Sequence, residues 1–214
     1  MLGNSTIISM KVKEGDEMNV SDQIIQIAKE NNGVITTANI TKRGISRGNI
    51  KALVDSGKLE RTARGVYILP EIWEDEFVNL QARFRKGIFS YETALFLWDL
   101  TDRTPKRFDM TFPETYNLTN AKNEGISAST VKKEWYAEGR EKVKSPGGNI
   151  IAAYGMERTL CDVLRKRNRV DTGVVTDAFK QYAVRKDKNI PLLSEYAKKF
   201  RVEEKVRRYL EVLI

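Results

Sequence analysis

The fold of the N-terminal part of this chain is decided by residues 36–70, which read TTANITKRGISRGNIKALVDSGKLERTARGVYILP. The segment predicts a short helix over residues 38–42, with Thr37 as the N-cap that accepts its first free backbone N–H groups. A second helix is predicted over residues 46–55, capped by the serine that opens it and apolar on one face. The sequence RGI at residues 43–45 is typical of a tight turn, so only a few residues join the two helices.

A β-hairpin is predicted next, because residues 59–62 and 66–69 alternate in polarity around a turn that contains glycine. Ahead of the short helices, apolar side chains recur at helical spacing over residues 20–32, with Ser21 as the expected N-cap. Three helices followed by a hairpin within about 50 residues are the layout of a winged helix-turn-helix. We therefore expect a winged helix-turn-helix domain over residues 18–70.

In a helix-turn-helix the second helix of the motif enters the major groove of DNA, and its first residues reach the base edges. Between Lys42 and Arg64 the sequence has seven basic residues against two acidic ones. The residues predicted to contact DNA are Lys42, Arg43, Ser46, Arg47, Asn49, Lys51, Arg61 and Arg64. Winged helices also serve as protein-interaction modules, so the sequence leaves that alternative open.

The remaining chain, residues 71–214, predicts a larger domain of mixed α/β type that is mainly helical, so the overall class is α+β. The clearest strand is at residues 107–112, where Phe108, Met110 and Phe112 share one face. Further strands are predicted at residues 130–137, 141–144 and 149–154. Helices are predicted at residues 71–84, 192–200 and 202–213. Three more helices are expected to begin at Ser90, after Gly155 and after an N-cap at Thr172. Residues 1–17 show neither the apolar spacing of a helix nor the alternation of a strand, and they are predicted to be a disordered leader.

The composition narrows the possible functions. The chain has no histidine and a single cysteine, Cys161. Acid–base catalysis near neutral pH most often uses histidine, and zinc or iron–sulfur sites need several histidine or cysteine ligands. An enzyme is therefore disfavoured, and we expect no cofactor and no metal. The net charge of +8 favours a polyanionic partner. Since no apolar run approaches the roughly 18 residues of a membrane span, the sequence predicts a cytoplasmic protein without a membrane partner.

Three segments resemble one known family. They are Arg64-Gly65-Val66-Tyr67 before Pro70; Ser90-Tyr91-Glu92-Thr93-Ala94-Leu95, followed by Leu100-Thr101-Asp102 and Pro105; and Tyr154-Gly155-Met156-Glu157-Arg158-Thr159-Leu160-Cys161-Asp162. In this order they resemble the AbiEi family, the antitoxins of AbiE-type abortive-infection toxin–antitoxin systems. The resemblance covers about residues 20–214.

The resemblance implies a function in two parts. Proteins of this family repress their own operon by binding inverted repeats upstream of it. An inverted repeat can bind two copies of the protein, even if the protein is a monomer in solution. They also counter a toxin of the nucleotidyltransferase-like class, with or without a stable complex, and their C-terminal domain is needed for this. By this resemblance the partners of the chain would be its own double-stranded operator DNA and a cognate toxin.

Basic residues are dense toward the C-terminus, and we expect them to form a partner surface for the toxin, its RNA substrate or further DNA. The residues predicted for this surface are Arg158, Arg165, Lys166, Arg167, Lys198, Lys199, Arg201, Arg207 and Arg208. For Arg158 and Asp162, which are four residues apart, an internal ion pair is the other interpretation. The neighbouring Cys161 is expected to be buried.

Two other functions stay open from the sequence alone. One is a transcription regulator whose C-terminal domain senses a ligand and which has no toxin. The other is a magnesium-dependent nuclease, which would need clustered carboxylates beside a metal ion. The residues that could supply them are Asp99, Asp102, Asp109 and Glu203-Glu204-Lys205.

Overall fold

A computed structural model describes residues 18–165 and 170–213. The predicted leader at residues 1–17 lies outside them. The first part of the chain contains α1 (Val20–Glu30), β1 (Val34–Thr36), α2 (Thr37–Lys42), α3 (Gly48–Asp55), β2 (Glu60–Ala63) and β3 (Val66–Ile68). The strands form an antiparallel sheet in the order β1-β3-β2, in which β2 and β3 are a hairpin. The predicted order of three helices and a hairpin is confirmed.

One apolar cluster holds these helices and strands together. On α1, Ile24, Ile27 and Ala28 are buried with the spacing of a single helix face. Ile50 and Leu53 of α3 belong to the same cluster. Each buried aliphatic side chain of this size contributes roughly 1.5–3 kcal/mol relative to exposure. The amphipathic pattern of the sequence therefore fixes which side of each helix is turned away from solvent.

The N-caps of α1 and α2 differ from those predicted. Asn19, not Ser21, caps α1, and its side-chain oxygen accepts the N–H of the third helical residue at 2.9 Å. Thr36, not Thr37, caps α2, and Thr36 and Asn39 bond each other's backbone N–H groups as a capping box. Each helix has a second good N-cap residue near the expected one, so α1 begins two residues, and α2 one residue, earlier than the expected cap allows.

The elements of the second part are α4 (Glu76–Arg83), β4 (Ile88–Phe89), α5 (Tyr91–Leu97), β5 (Asp109–Pro113), α6 (Thr119–Asn123), β6 (Ser127–Val131), α7 (Lys133–Tyr136), β7 (Arg140–Lys144), β8 (Ile150–Tyr154), α8 (Met156–Val163), α9 (Thr172–Val184), α10 (Ile190–Phe200) and α11 (Glu203–Leu213). The strands form one mixed sheet in the order β6-β5-β4-β8-β7. Strand β4 pairs antiparallel with β5 and parallel with β8, while β6 runs parallel to β5. The α+β class is confirmed.

The two faces of strand β5 differ in chemistry. Met110 and Phe112 are buried in an apolar cluster with residues of α4 and α6, and Phe108 packs against the same cluster. The predicted common face of these three residues is therefore confirmed. Asp109 and Thr111 alternate with them, so their side chains point to the opposite side of the sheet. On the helical side of the domain, α5 packs against β5, α8 packs against α5, and α10 packs against α8.

Several predicted boundaries in this part are wrong. The strand expected at residues 130–137 is β6 followed by the short helix α7, because β6 pairs with β5 from Ser127 opposite Asp109 onward. Helix α4 begins at Glu76 rather than residue 71, since the side chain of Asp75 caps it. Helix α9 is capped by Asp171, not by Thr172. None of the helices within residues 18–165 and 170–213 is long and apolar enough to cross a membrane.

Candidate nucleic-acid interface

The start of α3 differs from the sequence prediction. The helix begins at Gly48, after Arg47, whose side chain accepts no hydrogen bond from the helix. Ser46 is therefore not the N-cap, although its hydroxyl accepts the N–H of Gly48 at 3.4 Å. The next two N–H groups of the helix donate to backbone carbonyls, that of Asn49 to Ser46 at 3.3 Å and that of Ile50 to Arg47 at 3.1 Å.

The outer side of α3 is polar. Ile50 and Leu53 are buried, while Arg47 and Lys51 are exposed. Because positions four apart lie on one helix face, Arg47 and Lys51 project from the same side. Asn49 is partly buried, and its amide donates to a backbone carbonyl at the start of the helix at 3.1 Å. Lys51 therefore projects outward from α3, and so does Arg47 just before the helix, whose Nε donates to the exposed hydroxyl of Thr41 at 3.1 Å.

Two further basic residues lie before α3. Lys42 is exposed at the end of α2. Arg43 pairs with Glu30 of α1 at 3.0 Å, and both side chains are more than 40% exposed, at 58% and 44%. Exposed ion pairs of this kind contribute between about 0 and 1 kcal/mol. Arg43 can therefore exchange Glu30 for another anion at little cost.

The β2–β3 hairpin presents Arg61 and Arg64, which are both exposed. Its turn is at Arg64-Gly65, and Gly65 has a φ of +78°, a left-handed conformation that favours glycine. A Cβ on Gly65 would lie 3.0 Å from the hydroxyl oxygen of Thr37, so the hairpin tip fits closely against α2. The Nε of Arg61 donates to the carbonyl of Ala63 at 3.3 Å. The glycine thus fixes the hairpin next to the helix pair.

Three of the predicted DNA-contacting residues line one groove of about 760 Å³, which we call the arginine groove. They are Arg47 from the start of α3, Arg61 from β2 and Arg64 from the hairpin turn. Tyr67 also lines the groove. The structure therefore brings the helix and the hairpin together around a shared basic depression.

The opposite wall of the arginine groove comes from the second part of the chain. Arg83 at the end of α4 and Arg85 just after it line the groove with Tyr116 and Asn120. Arg83 is paired with Glu124, which belongs to the same lining. These residues were not predicted from the sequence. The run Arg83-Phe84-Arg85-Lys86 was the available signal, but only the tertiary fold places it opposite the hairpin.

A second groove, of about 340 Å³, adjoins the first and shares Arg64 and Arg85 with it. It adds Arg140 from β7, so six arginines line the two grooves. Within the described chain, Glu124 is the one carboxylate that lines either groove. Guanidinium groups in this arrangement repel one another unless an anion lies between them. The geometry therefore suits a polyanion such as a nucleic acid backbone.

The structure corrects one residue of the predicted C-terminal partner surface. The side chain of Arg158 is only 1% exposed, so it cannot lie on a contact surface. Its Nε donates to Asp162 at 2.7 Å, and its guanidinium lies 4.3 Å from the ring centres of Tyr154 and Phe200. The alternative interpretation, an internal ion pair, is confirmed. The expected burial of Cys161 is confirmed too.

The other residues of that surface divide into three groups. Lys166 and Arg167 lie outside the described residues. Three are held in ion pairs: Arg165 with Asp162, Lys199 with Glu138, and Arg207 with Glu204 and Glu211. The remaining residues are the exposed Lys198, Arg201 and Arg208.

The carboxylates considered for a nuclease are not gathered at one point. Asp99 and Asp102 are exposed, whereas Asp109 is partly buried on β5. The Asp109 carboxylate accepts hydrogen bonds from the backbone at Glu92 and Thr93, at the start of α5. Within the described residues there is no group of three or more histidine, cysteine, aspartate or glutamate side chains that could hold a metal ion.

Asp109 makes stability depend on pH. Burial raises its pKa from 3.8 to about 6, with Glu92 nearby adding to the shift and hydrogen bonds from Ser127 and the backbone opposing it. The folded state therefore takes up a proton as pH falls through about 6, whereas the unfolded state does so only near 4. The contribution of Asp109 to stability is thus greatest at low pH and is lost as pH rises through about 6.

We expect Asp109→Asn to remove this dependence, because the amide oxygen still accepts hydrogen bonds but carries no charge. At pH 7.5 the variant should be more stable than the wild type by on the order of 1 kcal/mol, and the difference should vanish near pH 4. Urea unfolding followed by circular dichroism at pH 4, 5, 6 and 7.5 measures this difference. An equal stability difference at all four pH values would contradict the assignment.

Comparisons with known proteins agree with the fold. Residues 22–70 match the family model described as "Transcriptional regulator, AbiEi antitoxin". The resemblance to the AbiEi family is thereby confirmed for this segment. The crystal structure of the RV2827C protein from Mycobacterium tuberculosis superposes with a TM-score of 0.51 at 17% sequence identity, covering 83% of this chain and 70% of that one. At this identity the likeness shows a shared fold. No protein among those with curated functions matches the chain.

Proposed function

We propose that this chain is a DNA-binding transcriptional repressor that also acts as the antitoxin of an abortive-infection toxin–antitoxin system. In this proposal residues 18–70 are a winged helix-turn-helix domain, with α3 in the major groove and the β2–β3 hairpin as the wing. Residues 71–214 form the antitoxin domain. The family match over residues 22–70 supports the regulatory half of the proposal.

The observation that carries the proposal is the arginine groove. Arg47 at the start of α3 and Arg64 at the hairpin turn are where a winged helix meets bases and backbone. Arg83 and Arg85 extend the positive wall beyond the N-terminal domain. A duplex carries one phosphate charge for about every 1.7 Å of its axis, so it supplies closely spaced anions for such a groove. A protein-interaction module would not require this excess of arginine.

The finer assignment of partners rests on the sequence resemblance. We propose that the DNA is the operator of the chain's own gene, read as inverted repeats by two copies of a protein that can be monomeric in solution. We propose that the second partner is a nucleotidyltransferase-like toxin. The exposed residues Lys198, Arg201 and Arg208 are available for a contact with the toxin or its RNA substrate.

Titration of the full chain against DNA from upstream of its own gene, beside scrambled DNA of equal length, tests the repressor half. We expect binding to the upstream DNA to be at least about 1,000-fold tighter than to the scrambled DNA. Affinity should fall steeply between 50 and 200 mM salt, because each neutralised phosphate releases a counterion. Weak binding that is equal for both DNAs would contradict the proposal.

The second wall of the arginine groove gives a further expectation. Arg83→Ala combined with Arg85→Ala should weaken binding to both DNAs by about tenfold and make the salt dependence shallower by roughly two phosphates. These residues would contact backbone, so the selectivity should be unchanged. The matched control is Lys180→Ala with Lys186→Ala, which removes one exposed charge on α9 and one just after it. If both double variants behave alike, the second wall has no part in binding DNA.

Co-expression with the neighbouring gene tests the antitoxin half. We expect that gene to arrest growth when induced alone, and growth to resume when the full chain is supplied from a second promoter. Supplying the chain from a separate promoter removes any effect of operator binding on toxin synthesis. Unrelieved arrest, with the chain present at normal abundance, would leave a repressor without antitoxicity.

A further inference from the structure

A polar cleft of about 880 Å³ lies in the second part of the chain, away from the residues of the arginine groove. It opens beside β6, the edge strand of the five-stranded sheet. The first residues of α5, the end of α8 and the junction between α10 and α11 complete its walls. Segments that are distant in the sequence therefore meet around one concave surface. Its volume is within the range of ligand-binding sites, roughly 300–1,000 Å³.

The floor of the cleft is a row of hydroxyl groups. Thr111 of β5 lies opposite Ser129 of β6, and their hydroxyl oxygens are 3.0 Å apart. The Thr111 hydroxyl also donates to the hydroxyl of Ser90 at 2.9 Å. The phenol of Tyr91 is hydrogen-bonded to Ser129. Tyr91 has a φ of +48°, a left-handed conformation that is unfavourable for a bulky residue and is held by the surrounding fold.

One wall of the cleft is positively charged. The cationic side chains of this wall are Arg165 after α8, which pairs with Asp162, Arg201 at the end of α10 and Lys205 on α11. Arg165 stands over the rings of Trp135 and Phe200, with its guanidinium 5.3 and 5.6 Å from their centres. These rings hold the guanidinium in place before any ligand arrives.

The negative charge available to this wall is limited. Asp162 is the carboxylate next to it, and Asp162 already accepts from the buried Arg158 at 2.7 Å and from Arg165 at 3.2 Å. Among the residues that the structure describes, Arg201 has no ion-pair partner. Lys205 donates to the carbonyl of Leu164, which orients its ammonium without neutralising it. An anionic group of a ligand, such as a phosphate, would balance this wall.

Two carboxyl groups also line the cleft, Glu92 at the start of α5 and Asp109 on β5. Carboxylates accept hydrogen bonds and repel phosphate, so this region suits hydroxyl or amino donors. The cleft is therefore complementary to a ligand that has a phosphate at one end and hydrogen-bond donors at the other. The hydroxyl row between the two regions can donate to, or accept from, a polar scaffold.

We propose that this cleft binds a mononucleotide, with its phosphates on Arg165, Arg201 and Lys205 and its sugar or base donors toward Glu92 and Asp109. The site is separate from the arginine groove and does not depend on DNA binding. It would give the second domain a small-molecule ligand. A nucleotide held there would bridge α5, α8 and the α10–α11 junction, and so would stabilise the packing of these helices.

Isothermal titration of the full chain with nucleoside triphosphates, nucleoside monophosphates, the free nucleosides and inorganic phosphate tests the proposal. We expect at least one nucleotide to bind about tenfold more tightly than its nucleoside and than phosphate, since both ends of the site must be filled. The paired variant is Arg201→Gln with Lys205→Gln, which should weaken nucleotide binding by about tenfold or more. Glutamine keeps most of the side-chain length and removes only the charge.

Two matched controls remove the same number of charges elsewhere. Lys198→Gln with Lys199→Gln lies near the end of the same α10 helix but outside the cleft lining, and Arg83→Gln with Arg85→Gln lies in the arginine groove. Neither should change nucleotide binding. Glu92→Gln should weaken nucleotide binding several-fold and leave phosphate binding unchanged, which serves as a second test should the cationic variant unfold.

Three outcomes would overturn the proposal. The first is no heat and no thermal stabilisation with any nucleotide at millimolar concentration. The second is loss of binding in the Arg83→Gln/Arg85→Gln variant alone, which would place the nucleotide in the arginine groove. The third is phosphate binding as tight as that of every nucleotide, which would leave a free-phosphate site. Failure here leaves the repressor proposal intact, because that proposal is tested with DNA.

Discussion

Replacing both Arg47 and Lys51 with alanine is expected to weaken binding of the full chain to its operator by about 100-fold at 0.15 M salt. Arg47 lies at the start of α3, where a recognition helix meets base edges, and loss of a bidentate contact to guanine costs about 1–3 kcal/mol. Lys51 projects from the same helix face one turn later and would contact a phosphate. Both side chains are exposed, so alanine leaves no buried group unpaired.

Selectivity distinguishes this variant from a general loss of charge. Because Arg47 is expected to read a base, binding to scrambled DNA should fall less than binding to the operator. The matched control, Lys180→Ala with Lys186→Ala, carries the same net charge and should retain the selectivity of the wild type. Fluorescence anisotropy at several salt concentrations measures both quantities. Equal affinities for wild type and the Arg47/Lys51 variant would place the recognition surface elsewhere.

The helix pair and the hairpin of the N-terminal part were predictable because their signals are local. Gly44 indicates the turn between the two helices, and Gly65 indicates the turn of the hairpin. The apolar spacing of α3 indicates which face of that helix is buried. The caps were not predictable to the residue. Ser21 and Thr37 are good N-caps by type, but Asn19 and Thr36 stand one position before the first helical residue and take that role.

The second wall of the arginine groove depends on tertiary structure. Arg83 and Arg85 are about 20 residues from the hairpin in sequence, and nothing in their spacing indicates that they face Arg64. The polar cleft is harder still, because Glu92, Asp109 and Arg201 come from three distant segments. Parallel pairing of β6 with β5 brings Ser129 beside Thr111, and such non-local pairing leaves no periodic signal that specifies the partner.

Arg158→Ala should cost the largest amount of stability of any single substitution considered, about 3–5 kcal/mol. The guanidinium donates to Asp162 at 2.7 Å and to the backbone carbonyls of Trp135 and Glu138 at 2.9 and 3.0 Å. Its removal takes away the buried donor of the Asp162 carboxylate, which is only 4% exposed and keeps its contact with Arg165, and the donor of two carbonyls. It also empties the space between the rings of Tyr154 and Phe200. Urea unfolding measures the loss, and a change below about 1 kcal/mol would show that the network is not a stability determinant.

A double variant at the same site separates the effect of charge on stability from the effect of packing. Arg158→Met with Asp162→Leu removes both charges and refills the site with apolar atoms, so it should destabilise the fold less than Arg158→Ala alone. Arg103→Ala, whose exposed ion pairs are 3.9 and 4.0 Å long, is the control and should change stability by less than about 0.5 kcal/mol. Arg158 lies at the buried inner side of the cleft, on α8, so the double variant should keep Arg201 and Lys205 in place. If it folds but no longer binds a nucleotide that the wild type binds, the buried pair positions Arg165 through Asp162.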